Sequence, residues 1–223
     1  MNDKMTNDIK HHLSDDVLLA YAGGNLAEAF NLIVAVHISM CDTCRAQSET
    51  FEALGGGILD TMTSEIGLDE GSLEATMARI AQQDSNAIKA PRPRQRDAVL
   101  PQPLMDYVGG GLDTIRWRPV GMGVNQAILK TSPEATARLL LIPAGAAMPN
   151  HSHSGTEMTL VLKGAFQDDD GYFARGDVET AGSDLHHTPV ADIHEDCICL
   201  AVTEAPLRFT GILPRLAQRF FRI

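Results

Sequence analysis

His37, Cys41 and Cys44 have the residue types and the spacing of metal ligands. An imidazole and two thiols in the pattern H-x3-C-x2-C supply the nitrogen and sulfur donors that tetrahedral Zn2+ takes. On a helix, positions four apart stack on one face a turn apart, so His37 and Cys41 lie together. Cys44 reaches the same side where that helix continues or turns tightly. A fourth donor stands upstream at His11 or His12, and spacing alone does not choose between them. Free cysteines also serve as small core hydrophobes, but the spacing here is a metal spacing.

A second constellation lies in the other half of the chain. The run Gly145-x5-His151-x-His153-x3-Glu157-x6-Gly164 resembles the first cupin motif position by position. His187 stands eleven residues beyond Gly176, where the second cupin motif places its histidine, and is preferred to the adjacent His186. That second motif is degenerate, with Gly182, Asp184 and Ala191 at positions usually held by Pro, Gly and Asn. His151 and His153 alternate by two and so point to one side of a strand. With Glu157 and His187 they make a set of three imidazoles and a carboxylate that suits Zn2+, Mn2+ or Fe2+. Cys197 and Cys199 share a strand face. Two residues apart, they are poorly placed for an unstrained disulfide and are read as buried packing.

The elements that must position these groups change character along the chain. Ser14 reads as an N-cap with Asp15 and Asp16 in the first turn, for a short helix carrying Val17, Leu18 and Tyr21 and stopping at Gly23-Gly24. Asn25 and Glu28 have capping-box spacing for a second helix over 26–40, apolar at Phe30, Ile33, Val34 and Val36. A third helix is expected from Cys44 to about Leu54, broken at Gly55-Gly56-Gly57. A fourth covers 72–80, with Leu73, Met77 and Ile80 on one stripe. Residues 85–103 hold Pro91, Pro93, Pro101 and Pro103 among four basic residues, which reads as an extended linker. Beyond it, short strands are expected at 138–142, 158–162, 177–180 and 197–202, the pattern of a barrel or jelly roll. The expected organisation is α+β multidomain: an all-α metal-binding unit over 1–84, a linker over 85–103 and an all-β cupin unit over 104–223.

Composition limits the function. A net charge of −11 over 223 residues argues against a protein that wraps nucleic acid through phosphate contacts. Residues 1–84 hold 14 acidic and 4 basic side chains, a net of −10, which suits a partner with a basic surface. The start of the chain is polar and charged, and the longest apolar run, 139–149, is too short for a membrane span. A soluble, cytoplasmic protein is expected. In a reducing cytosol, two cysteine pairs point to metal or redox chemistry.

The helical half now resembles a known family. His37-x3-Cys41-x2-Cys44, the lead-in His11-His12-Leu13-Ser14-Asp15-Asp16 and the Tyr21-to-Leu26 turn are similar to the zinc-binding anti-sigma domain. With the linker and the cupin motif, nearly the whole chain looks like a ChrR-type anti-sigma factor. The resemblance places the upstream ligand at His12. It implies a non-enzymatic regulator that inhibits an alternative sigma factor of the extracytoplasmic-function type and releases it on an oxidative-stress signal. The cupin domain would be needed for that response. It further implies zinc at His12, His37, Cys41 and Cys44, and zinc or another divalent metal at His151, His153, Glu157 and His187. The alternative is a metal-dependent, dioxygenase-like cupin enzyme with an accessory zinc domain, since the same four cupin ligands serve catalytic cupins. A separate acidic domain on a proline tether has an evident use in a regulator and none in such an enzyme.

Overall fold

In the computed structural model of this chain the described residues are 9–62, 67, 69–82, 97–148, 151–152, 155–182, 186–204 and 208–209, with the backbone alone described at 151–152, 186–187 and 208–209. Helices come first. They are α1 (Asp15–Ala22), α2 (Glu28–Ile38), α3 (Asp42–Thr61), α4 (Ser72–Gln82) and α5 (Gln102–Val108). Strands follow: β1 (Arg118–Gly121), β2 (Val124–Ile128), β3 (Thr136–Ile142), β4 (His151–Ser152), β5 (Glu157–Lys163) and β6 (Ala165–Gln167). Then come β7 (Tyr172–Ala174), β8 (Val178–Ala181), β9 (His186–His187), β10 (Val190–Ala191), β11 (Cys197–Thr203) and β12 (Arg208–Phe209).

Local chemistry departs from expectation in three places. The N-cap of α2 is Ala27 and makes no side-chain cap bond, so Asn25 does not form the expected capping box. The helix expected to break at Gly55 runs on to Thr61. Glycine costs about 1 kcal/mol against alanine in a helix, but it keeps its N–H and clashes with nothing, so the hydrogen-bond ladder continues. In the expected linker, residues 85–96 lie outside the described residues. Its last seven residues are packed, with Leu100 buried and α5 beginning at Gln102. Asp97 orders this stretch by accepting from the backbone N–H groups of Val99, Leu100 and Leu112.

The main sheet has the order β1-β2-β3-β11-β5-β8, with two three-stranded sheets, β10-β6-β7 and β12-β4-β9. Every residue of β11, and all of β5 but Lys163, is buried, because this sheet is covered on both faces. Side chains alternate faces along a strand. Met158, Leu160 and Leu162 of β5, with Ile198, Leu200 and Val202 of β11, share one core with the helices. Val161, Cys197 and Cys199 belong to a second core inside the β unit, with Phe166 and Phe173.

The helix lying on the outer face is α2. It buries Ala29, Phe30, Leu32, Ile33, Val34, Val36 and His37, which at 3.6 residues per turn span an arc of about 200°. A buried face that wide must be covered by more than one neighbour. Here α1, α3 and α5 cover it from one direction and β3, β5 and β11 from the other. Both ends are tied down. Glu28 accepts from the Tyr107 hydroxyl at 2.9 Å and from the Ser132 N–H at 2.6 Å. At the far end, the His37 ring bonds the Gly176 carbonyl.

Candidate metal centre

The last turn of α2 carries His37. The chain then turns through Ser39 and Met40, and Cys41 serves as the N-cap of α3. His37 and Cys41 therefore sit at the junction of two helices, not along one. The i,i+4 relation survives as the bond from Cys41 N–H to His37 O, 2.8 Å. The Cys41 sulfur accepts from the Cys44 N–H at 3.5 Å, and both cysteines are buried. A helix N-terminus favours negative charge, so α3 is suited to hold a thiolate at its cap.

Residues 9–12 arrive from the side. His12 Nδ1 stands 3.3 Å from the Cys41 sulfur and 3.5 Å from that of Cys44. One donor atom from each of His12, His37, Cys41 and Cys44 lies within 4.8 Å of the others. Ligands about 2.0–2.3 Å from a tetrahedral zinc stand about 3.3–3.8 Å apart, so the sulfur–nitrogen separations match. His11, the alternative donor by spacing, is not in this group; its ring lies against Phe173 with centroids 4.4 Å apart.

The donors fit a cation on a further ground. His37 is fully buried, and among the described residues its Nε2 has no hydrogen-bond partner. An unmet polar atom in a core is costly. The other ring nitrogen, Nδ1, lies 3.0 Å from the Gly176 carbonyl oxygen and donates to it, which leaves Nε2 as the lone-pair nitrogen. Burial pulls the His37 ring down from 6.5 to about 4, keeping it neutral and able to ligate. Burial likewise pushes the Cys44 thiol up to about 11, eased by the Leu13 N–H and worsened by Cys41. A divalent cation held by His12, His37, Cys41 and Cys44 would reverse that balance by favouring the thiolates, and would tie α2, α3 and the N-terminal segment together.

The four residues of the second constellation fare differently. His153 lies outside the described residues, and no side-chain position is described for His151 and His187. Their backbones pair directly, His151 opposite His187 in the β4–β9 ladder, so two of the expected donors start from adjacent strands. Glu157 opens β5 and is buried, on the inner face with Thr159 and Val161. It lines a cavity of about 60 Å³ with Gln126, Arg138, Thr159, Glu179 and Cys199. Arg138 Nη1 donates to Gln126 Oε1 at 3.2 Å, within the field of Glu157. Cys197 and Cys199 are buried, with sulfurs 3.4 Å apart. The contact with Cys197 and burial together push the Cys199 thiol far up, so it stays protonated packing.

Fold and site together define a helical His2Cys2 unit packed on a cupin-like β unit. Residues 108–207 match the family model of the ChrR cupin-like domain. The chain is 53% identical over 216 residues to the anti-sigma-E factor ChrR of Cereibacter sphaeroides, covering 96% of this chain and 99% of that protein. A chain in the crystal structure of Rhodobacter sphaeroides SigE in complex with the anti-sigma ChrR aligns with a TM-score of 0.76 and 50% identity. That alignment covers 87% of this chain and 99% of the other. This chain belongs to the ChrR family of anti-sigma factors, which are regulators and not enzymes.

Proposed function

We propose that this chain binds a sigma factor of the extracytoplasmic-function type and keeps it from RNA polymerase. The observation that carries the reading is α4. It buries none of its residues, yet Leu73, Met77 and Ile80 form an apolar stripe that is 67%, 57% and 57% exposed. Leu54, Ile58 and Leu59 on the second half of α3 are exposed as well. Apolar patches of this kind mark protein-binding surfaces. They belong to the acidic part of the chain, which suits a basic partner, and the homologous ChrR has been crystallised with SigE.

In this reading residues 1–84 restrain the sigma factor, 85–103 connect, and 104–223 sense the signal that releases it, an oxidative stress. His12, His37, Cys41 and Cys44 hold zinc as a structural tie. His151, His153, Glu157 and His187 hold zinc or another divalent metal in the β unit. The protein works in the cytoplasm, where its partner and polymerase are; among the described residues no helix is long and apolar enough to cross a membrane. Purified full-length chain, mixed with an extracytoplasmic-function sigma factor of the same organism, should co-elute with it and silence its promoter in vitro. Separate elution with full transcription overturns the proposal.

A further inference from the structure

The helical metal centre is not built by the helical half alone. The turn between β7 and β8, residues 174–178, contacts it at two points, the His37 ring and the segment that carries His12. The Gly176 carbonyl accepts from His37 Nδ1 at 3.0 Å and sets which ring nitrogen faces the cluster. Asp177 is buried, and its Oδ1 accepts from the backbone N–H groups of Lys10 at 2.7 Å and His11 at 2.9 Å. Its other oxygen accepts from Ala174 N–H at 2.8 Å, which closes the turn. Val178 N–H donates to the His11 carbonyl at 3.1 Å. Residues 9–12 are thus docked as an extended segment on the β unit, and that docking delivers His12 to the cysteines. The turn is itself anchored on β5, through Gly176 N–H to Val161 O at 2.8 Å and Val161 N–H to Asp177 O at 3.1 Å. Gly176 has φ +95°, a backbone angle that favours glycine, and a Cβ there would stand 2.7 Å from the Ile9 side chain, which would have to shift.

We infer that Asp177 is a positioning residue for the helical metal centre, holding two of its four donors, His12 through residues 9–12 and His37 through Gly176, in place from the β unit. The inference rests on the metal-binding reading of His12, His37, Cys41 and Cys44 given above. Outer contacts of this kind orient ligands, and their loss costs about 10–100-fold in metal affinity. Linkage makes the effect mutual: cation at the centre tightens residues 9–12 on the turn, as the turn tightens the centre.

The test uses full-length chain and Co2+, whose charge-transfer absorption reports sulfur ligation and so reads the Cys41–Cys44 site apart from nitrogen and oxygen sites. Asp177→Ala should weaken Co2+ at the sulfur site by tenfold or more in chelator competition, while β5 and β11 amides keep their slow exchange. Asp177→Asn, which keeps an acceptor for Lys10 and His11 but sets an NH2 against the Ala174 N–H, should recover part of the loss. Affinity within twofold of the parent in the alanine variant overturns the inference. Where that variant fails to fold, exchange in the parent decides. Removing the cation should speed exchange of the Lys10, His11 and Val178 amides selectively, and unchanged exchange there overturns it equally. Cys41→Ser combined with Cys44→Ser separates the two levels. If the absorption survives the loss of both thiols, the metal-binding reading itself is wrong; if it is lost there but indifferent to Asp177, only the positioning role is.

Discussion

Replacing Leu73 and Met77 together by glutamine tests the proposed docking face without changing its charge. Glutamine is about as good a helix former as leucine or methionine, so α4 should persist. Both side chains are exposed in the free chain, at 67% and 57%, so folding loses little, within about 0.5 kcal/mol. Binding loses more. Fully burying such a side chain is worth about 1.5–3 kcal/mol, and the exposed fractions leave about 1–2 kcal/mol per residue to be gained on a partner. The pair then contributes about 2–4 kcal/mol, or about 30-fold to 1000-fold in Kd. Surface plasmon resonance of full-length parent and variant over the immobilised sigma factor reads the affinity, and thermal melts read the fold. A variant that melts like the parent and binds within threefold of it refutes the docking face. A melt lowered by several degrees shows instead that α4 packs within the free chain, and the area argument fails.

Cys41→Ser or Cys44→Ser should cost the helical centre its cation, lower the melting temperature and leave the sigma factor active without any signal, read by metal content and promoter activity. Glu157→Ala lies on the opposite face of β5 from the helices and should leave basal inhibition intact while blunting release under oxidative stress; lost basal inhibition with the helices still folded counts against the division of roles. Residues 1–84 carry a net charge of −10, so raising salt should slow association with the sigma factor more than it speeds dissociation, given screening over about 8 Å at physiological ionic strength. Stopped-flow rates indifferent to salt remove the electrostatic part of the proposal. In the metal-free chain, His37 is pulled from 6.5 down to about 4 by burial. The unfolded ring then takes its proton at higher pH than the folded one, so its contribution is whole above pH 6.5 and is lost as pH falls toward 4. That loss is about 3 kcal/mol. Urea midpoints across that window should fall with acid, less steeply in His37→Gln.

Local signals carried the first centre. His37, Cys41 and Cys44 lie within eight residues, so spacing alone brings them together, and the strands at 138–142, 158–162, 177–180 and 197–202 announce themselves as apolar runs between turn residues, close to β3, β5, β8 and β11. Two local rules misled. Glycine weakens a helix without ending it, and α3 passes through Gly55, Gly56 and Gly57. Capping-box spacing at Asn25 lost to a start at Glu28, whose carboxylate is held by Tyr107 and Ser132 far along the chain. What the sequence hid is non-local. Nothing near Asp177 shows that it receives Lys10 and His11 across 167 and 166 residues. One further signal lies in α2: Phe30, Leu32, Ile33, Val34 and Val36 span an arc of about 200°, wider than the stripe of a helix resting on a single neighbour, so the helix needs covering from more than one side.

That covering offers a route by which a signal in the β unit, as proposed above, would reach the helices. On β5, Glu157 and Thr159 face the inner cavity while Met158 and Leu160 lie in the core shared with α2. On β11, Cys199 faces the cavity, and Ile198 and Leu200 face the helix. One peptide unit therefore separates a cavity-lining group from a group under α2. Interiors packed to crystal density do not absorb a displaced strand by compression; they shift as packed units. A strand moved from the cavity side moves the bed on which α2 rests, and α2 is pinned at Glu28 and His37 to the same β unit. The helix cannot follow such a shift at one end only without straining the His37–Gly176 bond beside the four donors. Strain there is strain at the junction from which α3 starts, and α3 leads to the exposed apolar surface. Under the proposed division of roles, sensing and restraint would be joined through one helix and one turn, and the proline-rich segment between them would not need to carry the message.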